Sequence, residues 1–232
     1  MITMLKQKKE TKRKSVSIKQ QIISFIREKA LKYVSLLIPA KVSFYFYNLL
    51  GSYLFLELHR SKIKMQITSS QIKAITKYIK PDNNFLIFGL GNDSGFWSTI
   101  NKKGRTYFLE DHQGWFDKIK QRFPGLEAGL VSYGTKRSQW SELLFDKNRL
   151  ELDLPDEIKD TKWDVILVDA PMGYDDEKPG RMKSIYMASK ICKKGGFVFI
   201  HDCEREVEDK YSETYLKNAV EEVGNLRVYK IE

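Results

Sequence analysis

Cysteine is scarce in this sequence, since only Cys192 and Cys203 occur among its 232 residues. The two thiols form no Cys-x-x-Cys pair and have no cluster of further ligands around them, which argues against a zinc site and against a disulfide framework. A reducing compartment fits this usage best. We expect both cysteines to be buried structural residues.

Long uninterrupted apolar segments are also missing. The most apolar stretch, residues 42–58, has only about the minimal length of a membrane-spanning helix, and Asn48, Gly51 and Glu57 interrupt it. The N-terminus lacks a short charged region followed directly by an apolar core, so no cleavable signal peptide is predicted. The sequence therefore supports neither a transmembrane helix nor a secretory signal.

Acidic residues are scarce in only one part of the chain. Residues 1–64 contain 14 Lys and Arg residues but only three Glu, whereas the remainder contains 26 basic and 27 acidic residues. The formal net charge of +10 thus belongs to the N-terminal region. The balanced remainder offers no basic stripe, so we expect no nucleic-acid partner.

The basic N-terminal region contains one strong helical pattern. Between residues 22 and 38 apolar side chains recur at spacings of three and four, with Lys and Arg on the other faces, which predicts an amphipathic helix. Such a helix either packs on the main domain or lies on an anionic membrane surface. Residues 1–64 are predicted to form a basic helical extension, with membrane association left open.

Strand and helix patterns alternate from residue 65 to the C-terminus. Alternation of this kind predicts one α/β domain over residues 65–232, with a mostly parallel sheet and helices on both faces. The expected strands are residues 85–88, 106–109, 126–133, 164–169, 197–200 and 226–231. The expected helices are residues 71–79, 96–101, 113–123, 181–193 and 204–223.

A glycine-rich turn follows the first expected strand. Gly89 and Gly91 permit a tight turn and a close approach of a ligand to the backbone. Glu110, at the end of the second strand, is placed to accept hydrogen bonds from ribose hydroxyls. Asp93 and Ser94 stand where a dinucleotide site needs glycine, and a carboxylate there repels phosphate but suits a sulfonium cation. These residues predict a cofactor site for S-adenosylmethionine in preference to NAD.

Polar residues also follow two later strands. Asp169 ends the strand at residues 164–169, and His201 and Asp202 follow the next one, so we expect all three at the same edge of the sheet as catalytic residues. His201 suits the removal of a hydroxyl proton, with a carboxylate to orient it. Alternatively, Asp169 and Asp202 with His201 hold a divalent metal ion that acidifies the hydroxyl. Sequence reasoning leaves both mechanisms open.

The loop between these two strand ends is expected to overhang the acceptor. Arg181 is suited to pair with a substrate carboxylate, and Tyr174 to stack on a sugar ring. Glu177 is included with them as a substrate-binding candidate. Asp175, Asp176 and Lys178 are interpreted as solvated loop residues.

These segments together resemble the plant glucuronoxylan 4-O-methyltransferase family of polysaccharide biosynthesis. The similar stretches are FLIFGLGNDS at 85–94, GRTYFLED at 104–111, WDVILVDAP at 163–171, GYDDEKPGRM at 173–182, VFIHD at 198–202 and REVEDK at 205–210. The resemblance implies a Rossmann-like methyltransferase fold, S-adenosylmethionine as donor, and the 4-hydroxyl of a glucuronic acid as acceptor. It implies a cofactor role for Gly89, Gly91, Asp93, Ser94 and Glu110, and an active-site role for Asp169, His201 and Asp202.

The sequence as a whole therefore predicts an S-adenosylmethionine-dependent O-methyltransferase acting on a sugar hydroxyl, with a glucuronic-acid-containing glycan or glycolipid as partner. The alternatives are methylation of a lipid-linked sugar or a small molecule, and a non-catalytic binding protein with the same fold. The expected location is cytoplasmic, at the membrane periphery if the N-terminal region binds lipid, or the Golgi if the source is a plant.

Overall fold

The computed structural model describes residues 53–232. The predicted amphipathic helix at residues 22–38 lies outside them. Contacts divide the chain into two compact units, Met1–Ser69 and Ser70–Glu232. The first unit contains helix α1, Tyr53–Ile63. Within residues 53–232, no helix combines the length and the apolar character that crossing a membrane requires.

The second unit is built on a seven-stranded sheet with the order β3-β2-β1-β4-β5-β7-β6. The strands are β1 Asn84–Phe88, β2 Arg105–Glu110, β3 Glu127–Leu130, β4 Trp163–Val168, β5 Cys192–Ile200, β6 Ala219–Val223 and β7 Leu226–Lys230. Strands β1 to β5 are parallel, and β7 runs antiparallel to both of its neighbours. The prediction of an α/β domain with a mostly parallel sheet is confirmed.

Helices between consecutive parallel strands supply the crossovers that such strands require. The helices after α1 are α2 Ser69–Thr76, α3 Ser94–Ile100, α4 Gln113–Arg122, α5 Trp140–Leu143, α6 Lys147–Leu150, α7 Asp156–Asp160, α8 Met182–Ile191 and α9 Glu206–Tyr215, with a 3-10 turn at Arg137–Gln139. Of these, α2 precedes β1, and α9 leads from β5 to the antiparallel pair of β6 and β7. The short helices α5 to α7 and the 3-10 turn fill the connection from β3 to β4, where the sequence carried no clear periodicity.

The core lies around the three central strands β1, β4 and β5. Their apolar runs, Phe85–Phe88, Val165–Val168 and Val198–Ile200, are buried throughout, as expected of parallel strands covered on both faces. Each fully buried side chain of this size stabilises the fold by about 1.5–3 kcal/mol. The central strands are therefore a rigid base for whatever follows their carboxyl ends.

One predicted helix is wrong in its second half. The sequence predicted a single helix over residues 204–223, but α9 ends at Tyr215 and residues 219–223 form the edge strand β6. Lys217 adopts a left-handed φ of 66°, which ends the helix. The exposure of β6 alternates with period two, and its pairing with β7 satisfies the backbone. Tertiary pairing overrode the helical propensity of this charged segment.

Candidate active site

A cavity of about 370 Å³ opens at the carboxyl ends of β1, β2 and β4. Open α/β sheets bind ligands at this edge. All five residues predicted to bind the cofactor line it, together with Asp169. The lining consists of Ile87, Gly89, Leu90, Gly91, Asp93, Ser94, Trp97, Phe108, Glu110, Asp111, His112, Trp115, Leu167, Asp169, Ala170 and Met172.

The glycine turn between β1 and α3 is closed to larger residues. Gly89 has a φ of 124°, and a Cβ placed on it would lie 3.1 Å from the Cβ of Ala170. A Cβ on Gly91 would lie 2.6 Å from an Asp93 carboxylate oxygen. The Gly91 amide donates to Ser94 Oγ at 2.9 Å. Both glycines are therefore required by local geometry, and they leave the backbone open toward the cavity.

Glu110 is fixed at the cavity wall by backbone amides. Its Oε2 accepts from the Leu90 amide at 3.1 Å, and its Oε1 accepts from the His112 amide at 3.0 Å. Burial raises the pKa of Glu110, and these two hydrogen bonds oppose that rise. Each carboxylate oxygen keeps a second lone pair, which is the capacity that ribose hydroxyls need.

Asp93 adds a second carboxylate to the same cavity. Burial and the neighbouring Asp169 raise the pKa of Asp93 to about 6, while the Trp97 indole N–H donates to its Oδ2 at 3.0 Å. Two carboxylates that line the same buried cavity repel each other unless a cation or a proton lies between them. The cavity therefore favours a cationic ligand.

The three predicted catalytic residues lie together. Strands β4 and β5 pair Val168 with Ile200, so the residues that follow them are neighbours. His201 Nδ1 lies 2.9 Å from Asp169 Oδ1 and 3.2 Å from Asp202 Oδ1, although neither contact has hydrogen-bond geometry. Burial lowers the pKa of His201, but the two carboxylates outweigh this effect and the net shift is upward.

The carboxylates of Asp169 and Asp202 differ in their accessibility to a ligand. Asp202 contacts Arg181 at 2.8 Å and Arg205 at 3.0 Å, and it accepts from Asn225 at 3.1 Å. The Asp169 side chain is 26% exposed and faces the cavity. Within residues 53–232, no group of three or more His, Cys, Asp or Glu side chains is placed to hold a metal ion. The metal mechanism gains no support, and Asp169 is the accessible carboxylate.

Arg181 is buried, with only 4% of its surface exposed. Its guanidinium donates to the carbonyls of His201 at 2.6 Å, Asp169 at 2.6 Å and Pro171 at 3.3 Å, and it pairs with Asp202. These contacts tie the ends of β4 and β5 together. They occupy the fork that was predicted to bind a substrate carboxylate, so the contacts favour a positioning role.

The β4–α8 loop, residues 172–181, carries the other two substrate-binding candidates at the surface. Tyr174 is 63% exposed, and Glu177 is exposed and pairs with Lys136 at 2.7 Å. Backbone hydrogen bonds join this loop to residues 135–138: the Arg137 amide donates to Lys178 O at 2.6 Å, and the Ser138 amide donates to Asp176 O at 3.2 Å. The loop is therefore held in place.

Sequence reasoning missed part of the cavity wall. Asp111, His112, Trp115 and Met172 line it. Trp115 donates its indole N–H to Leu90 O at 2.5 Å, and His112 Nδ1 caps α4 by accepting from the Trp115 amide. The available signal was the position of Asp111 and His112 directly after β2. Trp115 lies about one helical turn after His112, at a position where the strand ends predicted no site residue.

The sheet order and the cavity at its carboxyl edge define a Rossmann-like methyltransferase fold. A crystal structure of a TehB-like SAM-dependent methyltransferase from Corynebacterium glutamicum superposes with a TM-score of 0.50 at 16% sequence identity, covering 76% of this chain and 95% of that one. At this identity the likeness concerns the fold alone.

The chain belongs to the IRX15/IRX15L/GXM family, whose model matches residues 66–151 and 141–229. It is 42% identical to glucuronoxylan 4-O-methyltransferase 1 of Arabidopsis thaliana over 179 residues, which are 67% of this chain and 64% of that protein. It is 40% identical to arabinogalactan O-methyltransferase 1 of the same plant, over 66% of this chain and 61% of that one. The chain thus spans slightly less than two thirds of these relatives' own length.

Proposed function

We propose that this chain is an S-adenosylmethionine-dependent O-methyltransferase that acts on a sugar hydroxyl, specifically the 4-hydroxyl of a glucuronic acid in a polysaccharide or glycoconjugate. The observation that carries the proposal is the single cavity lined by all five predicted cofactor residues and by Asp169. Membership in a family with relatives named as methyltransferases of two different glycans supports it.

The residues that line the cavity suit the cofactor in charge. S-adenosylmethionine supplies a methyl group on a cationic sulfonium when bound. The turn at Gly89 and Gly91 would hold its amino-acid part, and the carboxylates of Asp93 and Asp169 would balance its positive charges. Glu110 would accept from the ribose hydroxyls, and Trp115 would contact the adenine.

Asp169 is the base that this arrangement favours. Asp169 would accept the proton of the acceptor hydroxyl as the acceptor oxygen took the methyl group and the electron pair of the broken carbon–sulfur bond stayed on the donor sulfur. Methyl transfer depends mainly on alignment of the three atoms, and Arg181 and His201 hold Asp169 at the cavity edge. His201, whose pKa is raised by Asp169 and Asp202, is assigned the charged, orienting role.

Two measurements test this function. Calorimetry with the full chain is expected to detect binding of S-adenosylmethionine, and absence of binding would sink the proposal. Methyl-labelled S-adenosylmethionine is then supplied with glucuronic-acid oligosaccharides, lipid-linked sugars and neutral oligosaccharides, and we expect label in the first class. If only lipid-linked sugars are labelled, the proposed acceptor is wrong, but the proposed methyl transfer to a sugar hydroxyl is retained.

The matched variant for the chemical step is Asp169→Asn, which keeps the size and removes the base. We expect it to lose at least about 10²-fold in kcat, as typical for loss of a general base. Asp160→Asn, at the exposed end of α7, is the control. Retention of full activity by Asp169→Asn would remove Asp169 from the proton transfer and point to His201.

A further inference from the structure

Several positive side chains surround the β4–α8 loop, and nearly all of them have acidic partners. Lys136 pairs with Glu177 at 2.7 Å, and Arg137 pairs with Asp176 at 2.5 Å. Arg181 is buried against Asp202, which Arg205 also contacts. These charges are neutralised inside the protein and offer little to an anionic ligand.

Lys178 is the exception. In the part of the chain that the structure describes, no carboxylate pairs with its ammonium group, which lies instead 5.9 Å from the centroid of the Tyr174 ring. Its own backbone is fixed, because the Lys178 amide bonds to Asp175 and its carbonyl accepts from Arg137. The loop therefore presents a half-buried cation without a carboxylate partner beside an aromatic ring with 63% of its surface exposed.

The location of this pair matters for the reaction. Met172 lines the cofactor cavity beside Asp169, and Tyr174 follows it by two residues. The Gly180 amide donates to Met172 O at 3.0 Å and closes the base of the loop. Tyr174 and Lys178 thus stand on a closed loop whose base forms the rim of the cavity.

We infer that Tyr174 and Lys178 together recognise an acidic sugar, the ring by stacking on the apolar face of the pyranose and the ammonium by pairing with the carboxylate. This inference rests on the proposed function. It moves the carboxylate contact from the buried Arg181 to Lys178, which the sequence interpretation treated as a solvated residue. A half-buried ammonium is less screened than an exposed one, and a tyrosine ring offers a rigid contact surface to the C–H face of a pyranose at little conformational-entropy cost.

The test compares two variants with two matched controls. Lys178→Gln removes the charge, and Lys136→Gln removes an already paired lysine from the neighbouring segment. Tyr174→Ala removes the ring, and Tyr174→Phe keeps it. The acceptors are a glucuronic-acid oligosaccharide and the same oligosaccharide with its carboxyl group reduced to a hydroxymethyl.

For the acidic acceptor we expect Lys178→Gln to raise KM about tenfold with kcat unchanged. A tenfold change in affinity corresponds to the free energy of about one hydrogen bond to a charged group. For the reduced acceptor we expect no change, because the carboxylate is gone. Tyr174→Ala is expected to raise KM for both acceptors more than Tyr174→Phe does, while Lys136→Gln behaves as the unmodified chain. Equal losses of Lys178→Gln on both acceptors, or none on either, would overturn the inference.

Binding without turnover separates this inference from the proposed function. Fluorescence anisotropy of the labelled acidic oligosaccharide, with S-adenosylhomocysteine present, reports acceptor binding alone. One possible outcome is that the unmodified chain transfers no methyl group but binds the oligosaccharide, and that Lys178→Gln weakens this binding about tenfold. That outcome contradicts the proposed function and supports the recognition of the acidic sugar by Lys178. Absent or unchanged binding contradicts the inference whatever the activity.

Discussion

Asp93 lowers the stability of the ligand-free fold at neutral pH and favours a cationic ligand. Burial and Asp169 raise its pKa from 3.8 to about 6, so the folded state favours the protonated carboxyl. The resulting stability is present below about pH 4 and is lost as pH rises through 6. Above pH 6, the ionised Asp93 carboxylate destabilises the folded state because it is buried beside Asp169. A bound cation would offset this destabilisation.

The first prediction follows from this shift. Asp93→Asn is expected to raise the free energy of unfolding of the ligand-free chain at pH 8 and to leave it unchanged near pH 4, measured by urea unfolding. The same variant is expected to bind S-adenosylmethionine more weakly in calorimetry. Asp156→Asn, at the exposed start of α7, is the control. A variant less stable than the unmodified chain at pH 8 contradicts this account.

Arg181 gives the second prediction. Arg181→Met leaves Asp202 and the fully buried Glu208 without the guanidinium that lies beside them. Breaking a buried ion pair in this way costs about 3–5 kcal/mol, which thermal unfolding can measure. Lys136→Met, which breaks an exposed pair, is expected to cost less than about 1 kcal/mol. Equal losses in the two variants would show that the Arg181 cluster is not a stabilising one.

Among single residues, the sequence identified those whose location depends on chain position alone. Gly89 and Asp169 directly follow β1 and β4, and Glu110 is the last residue of β2, so that position carries all three to the cavity. The partners of Arg181 are distant in sequence, and only the pairing of β4 with β5 determines that its guanidinium is enclosed.

At the level of elements, the β1–α3 turn is the most constrained. The third prediction concerns Gly89→Ala, which places a Cβ at a φ of 124° and against Ala170. We expect the variant to lose S-adenosylmethionine binding and to unfold at lower temperature. Gly125→Ala is the control, because a Cβ there meets nothing within 4 Å. Cofactor binding by Gly89→Ala equal to that of Gly125→Ala would show that the turn tolerates a side chain.

Elements also mark the limit of prediction from pattern. The central strands were found because buried parallel strands are continuously apolar, a signal that does not depend on partners. The sequence predicted helix for β6 because the segment continues a charged helical stretch and contains Glu221 and Glu222. At the sheet edge, only pairing with β7 selects a strand. The short helices between residues 140 and 160 lack enough turns to establish a period.

At the scale of the whole molecule, the excess of basic residues belongs to residues 1–64 and not to the unit that contains the cavity. The fourth prediction keeps membrane association open to experiment: deletion of residues 1–40 is expected to abolish flotation with vesicles rich in anionic lipid, while the full chain floats. The unit Ser70–Glu232 is expected to retain calorimetric binding of S-adenosylmethionine after the deletion. Equal flotation of both forms would show that the N-terminal region is not a membrane anchor.

The fold and the shared position of the predicted cofactor residues could be predicted from sequence, because strand–helix alternation and strand ends determine both. The surroundings of the charged side chains could not. Lys178 and Arg181 both lie in the β4–α8 loop, and only their contacts within residues 53–232 distinguish them: Arg181 pairs with Asp202, whereas the Lys178 ammonium lies beside the Tyr174 ring.

The backbone bonds between residues 137–138 and the β4–α8 loop have a consequence for engineering. Two separate crossover connections, from β3 to β4 and from β4 to β5, meet there and share hydrogen bonds. A loop grafted into this position must present carbonyls to the Arg137 and Ser138 amides, because those amides otherwise lose their acceptors. Residues 134–139 and residues 172–181 therefore form one discontinuous unit for such an exchange.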